Sequence, residues 1–316
     1  MRPDTFARMT FCAGALAAAA LIGCQAQARE ATVPPEVTAS AVFVLNADTG
    51  RTLYRKNENE TFRILSITKL ITAYVLMQQM GGRLSEQVTV TQAELAGGST
   101  AGLRKGDVWT LETLLYGMLL VSGNDASLAI ADHVGKALLD RDKTRGDAIK
   151  RFVQEMRSTV ATLGAVHAGF ADPYGLSPAN VATAHDVGLI GQTVFRDAKL
   201  LPFWQCARRT FSVGGPQART VTLDSTVEML GEDDIIGAKT GSYVGKKLFH
   251  LVVGWRAPNG QTIVAVVLGS AGDPSRYSDM RAMLAALPRD FPELARTAPS
   301  SNAKPHEGGA KACQPH

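Results

Sequence analysis

From Ser40 to Asn46 apolar and polar residues alternate and Val and Phe are frequent; Asp48-Thr49-Gly50 is a turn and Arg51 to Arg55 returns, a pattern that predicts a β-hairpin. The period then lengthens. Leu70 to Met80 is an apolar run of good helix formers, stopped by Gly81-Gly82. Gln87 to Thr91 reads as a short strand, and Gly97-Gly98-Ser99 through Gly106-Asp107 as loop. Thr110 opens a helix in which Leu111, Leu114, Leu115, Met118 and Leu119 recur at helical spacing, a core-facing stripe. The stripe breaks at Val121-Ser122-Gly123-Asn124-Asp125, and helices are expected over 126–139 and 147–163. Asp172-Pro173-Tyr174-Gly175 is a turn. Thr183 and Asp186 have the spacing of a capping box, so His185 reads as a helix-start residue rather than a catalytic one. From Phe211 strand character takes over: 235–243, 248–256 and 262–269 are apolar runs, followed by a last helix over 275–287. Strands at both ends with helices between them predict an α/β (α+β) class. The expected sheet is antiparallel, built from N- and C-terminal strands and flanked by helices, with an inserted helical subdomain.

Composition narrows this little: 45% hydrophobic and 20% charged residues describe an ordinary globular core. The net charge of +4 is dispersed, with no Lys/Arg block interleaved with aromatics, so no nucleic-acid partner is expected. The first residues change the picture more. Arg2 and Arg8 form a basic region ahead of an apolar stretch, Thr10 to Ile22, too short to span a bilayer comfortably, so 1–28 reads as an export segment. Two cleavage readings compete. Leu21-Ile22-Gly23-Cys24 looks like a lipobox that would place a lipid on Cys24, whereas Ala26-Gln27-Ala28 fits ordinary secretory processing. A linker over 29–37, one domain over 38–290 and a disordered tail over 291–316 complete the expected organisation. Cys206 and Cys313 remain after export; an oxidising compartment permits their pairing, Cys313's place in the tail weighs against it, and the sequence leaves it open. No CxxC, HExxH or spaced His cluster is present, so neither metal nor cofactor is expected.

Candidate chemistry begins at Ser66-Ile67-Thr68-Lys69, where a hydroxyl and an amine stand three apart at a helix start and share one face. Serine is a weak nucleophile unless a base takes its proton, and lysine is that base only when desolvation or a neighbouring cation favours its neutral form. Alone the motif is weak, since composition predicts about one such match by chance. The same residues also read as a serine N-cap and a solvated first-turn lysine. Two later motifs strengthen it: Ser122-Gly123-Asn124 between two helices, and Lys239-Thr240-Gly241 on an apolar strand. Together they assign Ser66 as nucleophile and Lys69 as its base. Ser122 and Lys239 would move protons to the leaving amine, and Asn124 would hold a substrate amide. The strand carrying Thr240, Gly241 and Ser242 would pair with an extended substrate, and the N–H groups of Ser66 and Ser242 would face the oxyanion.

With Leu114-Leu115-Tyr116-Gly117, Asp172-Pro173-Tyr174-Gly175-Leu176 and Gly237-Ala238-Lys239-Thr240-Gly241 added, the region from about Ser40 to Leu287 resembles low-molecular-mass penicillin-binding proteins. Specifically, it resembles the serine-type D-alanyl-D-alanine carboxypeptidases of the S11 peptidase class. The resemblance implies a β-lactamase/transpeptidase-like fold. It also implies a periplasmic enzyme that forms an acyl-enzyme on Ser66 as the terminal D-alanine leaves a peptidoglycan stem peptide, and that β-lactams inhibit. Arg276 stands where the family binds the substrate's terminal carboxylate, a role suited to guanidinium. Membrane contact would come only through a lipid on Cys24. A D,D-endopeptidase acting on cross-links uses the same residues, and a β-lactamase or a non-catalytic peptidoglycan-binding lipoprotein are further alternatives. Two positions depart from the family pattern: Ser242 where histidine is common and Val227 where asparagine is common. The β-rich C-terminal domain that many relatives carry is not expected after Leu287.

Overall fold

The structure, a computed structural model, describes residues 36–232, 234–295 and 313. The export segment and Cys24 lie outside the described residues, as do 296–312 of the tail. In chain order the elements are β1 (Ala41–Asn46), β2 (Thr52–Lys56), β3 (Thr61–Arg63), α1 (Lys69–Met80), β4 (Gln87–Thr89), β5 (Val108–Thr110), α2 (Leu111–Leu120) and α3 (Asn124–Asp142). They continue with α4 (Ala148–Thr162), β6 (Val181–Thr183), α5 (Ala184–Val194), α6 (Leu201–Trp204), β7 (Arg208–Val213), β8 (Arg219–Asp224), β9 (Ile235–Tyr243), β10 (Leu248–Arg256), β11 (Thr262–Leu268) and α7 (Asp273–Asp290).

A five-stranded sheet runs in the order β2-β1-β11-β10-β9, antiparallel throughout. The expected joining of the N-terminal hairpin to the C-terminal strands is therefore observed, and its cause lies in β1 and β11. Both strands are buried on both faces. Ala41, Phe43, Leu45, Val264, Val266 and Leu268 face a cluster shared with α1, α2, α3 and α5. Val42, Val44, Ile263, Ala265 and Val267 face one shared with α7. Each fully buried branched side chain is worth about 1.5–3 kcal/mol, and a one-residue slip would send every one to the wrong face. Register is thus tightly set. The helices α2 to α4 lie between the two halves of the sheet in sequence and form the expected insertion. Thr110 and Thr183 cap α2 and α5, the latter through the Thr183–Asp186 box read from the sequence.

The C-terminal boundary needs correction. Phe291 and Leu294 are buried against the α7 layer, and the Leu294 carbonyl accepts from Asn259 N–H at 3.1 Å, so order extends through Ala295. Cys313 is joined to Cys206. Its N–H meets the Arg208 carbonyl at 3.3 Å, and Arg209 Nη1 donates to the Cys313 carbonyl at 2.8 Å. The sequence reading weighed Cys313's place in the tail against this pair, whereas the Cys313 backbone docks on Arg208 and Arg209 and the two sulfurs meet. Val227 packs in the α7 cluster.

Candidate active site

The nucleophile candidate sits on a single tight turn, Leu65–Thr68, between β3 and α1. Leu65 occupies the left-handed region at φ 53°, a conformation that costs a side chain about 1–2 kcal/mol. Surrounding loops hold the turn in place. Gly175, at φ 99°, lies so close that a Cβ there would stand 1.9 Å from the Leu65 carbonyl oxygen. Thr72 Oγ1 donates to the Pro173 carbonyl at 2.6 Å. Asn180 Nδ2 reaches Thr68 Oγ1 at 3.1 Å. On the other side, Gly241 lets β9 approach, since a Cβ there would fall 2.7 Å from the Ile64 carbonyl oxygen. The Ser66 turn is therefore wedged between the Asp172–Leu176 loop and the strand carrying Lys239-Thr240-Gly241.

Lys69 is not a solvated first-turn residue: it is 0% exposed. Its Nζ lies 3.1 Å from Ser66 Oγ, 2.8 Å from Asn124 Oδ1 and 2.9 Å from the Tyr174 carbonyl oxygen. Two of these neighbours can only accept, and the third is a hydroxyl able to donate. A neutral amine fits this arrangement completely, with two N–H groups to the acceptors and its lone pair to the Ser66 hydroxyl. Burial, and after it the charge of Lys239, push the Lys69 amine well below its ordinary value, while Asp172 and Asp125 act in the opposite direction.

Across the cleft, Lys239 is also fully buried. Its Nζ donates to Ser122 Oγ at 3.1 Å and to the Thr240 carbonyl at 3.0 Å. Burial and then the Arg276 guanidinium lower it to about 7. Ser122 is itself held at φ 57°. The Ser122-Gly123-Asn124 turn thus reaches both amines, Lys239 through its first residue and Lys69 through its third. That short span brings the early and late motifs of the chain into one site. Asn124 is engaged at both ends, its Nδ2 donating to the Gly97 carbonyl at 2.8 Å. In this geometry it orients Lys69. Asp125 anchors the loop above by accepting from the N–H groups of Ala101 at 2.8 Å and Leu103 at 3.1 Å. Farther along β9, Ser242 is exposed and its Oγ accepts from Arg276 Nη1 at 2.5 Å.

The sequence reading gave no role to Tyr174 or Asn180. Tyr174 acts through a backbone carbonyl, which no side-chain pattern reveals. Asn180 is a scaffold whose Oδ1 accepts from the N–H groups of Ala171 and Asp172 at 2.8 and 3.2 Å.

A hydroxyl held against a desolvated amine, with a second amine facing it from the edge strand of an antiparallel sheet, is the constellation of a serine hydrolase that works without histidine. The chain belongs to the D-alanyl-D-alanine carboxypeptidase family, peptidase S11, whose model matches residues 27–272. The D-alanyl-D-alanine carboxypeptidase of Streptomyces sp. (strain K15) is 28% identical over 296 residues, which cover 88% of this chain and 96% of the relative. The carboxypeptidase DacF of Bacillus subtilis (strain 168) is 25% identical over 251 residues, 78% of this chain but 61% of that longer protein. The crystal structure of the Streptomyces K15 DD-transpeptidase superposes with a TM-score of 0.73 at 28% identity, covering 80% of this chain and 98% of that one.

Proposed function

We propose that this chain removes the terminal D-alanine from peptidoglycan stem peptides through an acyl-enzyme on Ser66. Lys69 Nζ takes the Ser66 proton as Oγ bonds to the carbonyl carbon of the penultimate D-alanine. Ser122 Oγ, with Lys239 behind it, passes a proton to the amide nitrogen as the C–N bond breaks. Water then hydrolyses the ester. The backbone N–H groups of Ser66 and Ser242 face the oxyanion, Thr240 and Gly241 present strand edge to the peptide, and Arg276 receives the terminal carboxylate. A β-lactam acylates the same oxygen, but its amine remains tethered. The observation that carries this reading is the fully buried Lys69 amine 3.1 Å from Ser66 Oγ, where burial favours its neutral form.

Intact-mass measurement after penicillin treatment tests it. One whole-penicillin adduct should map to the peptide containing Ser66 and vanish in Ser66→Ala; an adduct that persists in that variant refutes the assignment. One feature favours D,D-endopeptidase action as a second reading. Past Ser242, Tyr243 is 41% and Val244 76% exposed, apolar surface at the end of β9 for the second peptide of a cross-link. Rates on a monomeric pentapeptide and a cross-linked dimer separate the two. Residues 1–28 support export to the periplasm, and the mass of the mature N-terminus decides between a lipidated Cys24 and plain cleavage.

A further inference from the structure

Arg276 carries the charge that the proposed function reserves for a substrate carboxylate, yet another carboxylate already holds it. Asp273, one helical turn earlier in α7, pairs with Arg276 Nη2. Arg276 Nη1 is taken by Ser242 Oγ at 2.5 Å, and Tyr277 Oη stands 3.5 Å from Nη2. Arg276 Nε is buried and has no hydrogen-bond partner among the described residues. Nε and Nη2 form the side-on fork that suits a bidentate carboxylate, and Asp273 fills only half of it.

The two partners are unequally placed. The Arg276 side chain is 6% exposed and that of Asp273 is 59% exposed. One is fixed among Ser242, Tyr277 and the strand, and the other can turn to water. Asp273 is also the first residue of α7, so a carboxylate released there stays next to a helix N-terminus that favours negative charge. Its departure is cheap, while the departure of Arg276 would not be.

We infer that Asp273 is a place-holder for the substrate's terminal carboxylate: it neutralises Arg276 until a peptide arrives, then yields the guanidinium fork, and so sets the affinity for carboxylate-ended substrates. The inference rests on Arg276 being the carboxylate site. Asp273 is a positioning residue, and it forms and breaks no bond to the substrate. Its charge competes with the substrate's.

Asp273→Asn keeps the shape and an acceptor for Arg276 but removes the competing charge. For a peptide ending in free D-alanyl-D-alanine, KM should fall about two- to fivefold, the range spanned by an exposed ion pair. The change should shrink at high salt, with kcat within a factor of two. For the same peptide ending in a carboxamide, KM should not move. Asp273→Ala should show the same selective fall, since charge and not shape is at issue. A carboxylate KM that stays or rises in Asp273→Asn, or an equal change on the amide peptide, overturns the inference. Arg276→Gln keeps the two failures apart. If discrimination between carboxylate and amide survives that substitution, the Arg276 reading itself fails; if it is lost while Asp273→Asn has no effect, only the place-holder fails.

Discussion

Acidification from neutrality to pH 4 should destabilise this fold through one imidazole. His250 lies on β10 directly across from Gly241, fully buried behind the cleft wall. Its Nδ1 accepts from the Gly269 N–H at 2.9 Å. The ring proton therefore sits on Nε2, which donates to the Arg63 carbonyl at 2.9 Å. A second proton would have to enter at Nδ1, where it would meet another N–H. Burial, with a further contribution from the Arg276 charge, lowers this imidazole from 6.5 to about 4, against the opposing pull of its backbone hydrogen bonds. Because the folded value lies below the unfolded one, the stabilisation is fully present above pH 6.5 and is lost as pH falls through that value towards 4. The gap corresponds to about 3 kcal/mol, a large share of the stability of an ordinary domain. Urea unfolding of the protein and of His250→Gln at pH 7, 6, 5 and 4 provides the assay. Carboxylates titrate in both proteins, so the difference between them isolates the imidazole. The variant should be less stable at pH 7, and the gap should narrow by about 3 kcal/mol by pH 4. Unfolding free energies that stay parallel across the range would refute the reasoning.

Three further outcomes follow from the same geometry. If Lys239 must carry its proton during acylation, the rate should decline on the alkaline side around its value of about 7. Arg276→Gln, by removing the neighbouring cation, should move that limb upward; an unmoved limb in a penicillin acylation profile would count against Lys239 as the donor. Ser122 is held at φ 57°, so Ser122→Gly should be about 1 kcal/mol more stable than Ser122→Ala while both acylate slowly; equal unfolding midpoints would show the turn to be unstrained. The Cys206–Cys313 bond closes a loop with a sequence separation of 107, for which chain entropy allows up to about 4.7 kcal/mol. Cys313→Ser should therefore lower Tm with little change in acylation at 25 °C, and an unchanged Tm would make the bond structurally idle.

The main elements were legible because their burial is periodic. β9 and β10 occupy the stretches their apolar runs mark, and α1 ends at Gly81 as its glycine pair requires. Ser66, Lys69, Ser122, Asn124 and Lys239 were legible for a different reason, as side-chain types at short fixed spacings. What escaped is carried by backbone atoms or by long-range pairing. The Tyr174 carbonyl beside Lys69 is one case, and the docking of Cys313 onto Arg208 is another. The orientation of Asn124 was also out of reach. An amide at that position can face substrate or lysine, and only the acceptor at Gly97 and the amine at Lys69 decide which. His250 looked like one apolar-strand residue among many, because nothing in its neighbours in sequence announces Gly269 and Arg63 as partners.

In the proposed mechanism the two lysines, both fully buried, take opposite roles. Lys69 has two obligate acceptors and a hydroxyl, a set that a neutral amine satisfies with its lone pair turned to the Ser66 proton. Lys239 has the Ser122 oxygen and the Thr240 carbonyl, which accommodate two N–H groups of an ammonium and leave the third for the reaction. Lys239 also acts on Lys69 through its charge. A protonated Lys239 disfavours a proton on Lys69, so holding the donor charged helps hold the base neutral. Arg276 extends the same logic, since its fixed charge lowers Lys239 and brings a proton donor into a range where it can release its proton.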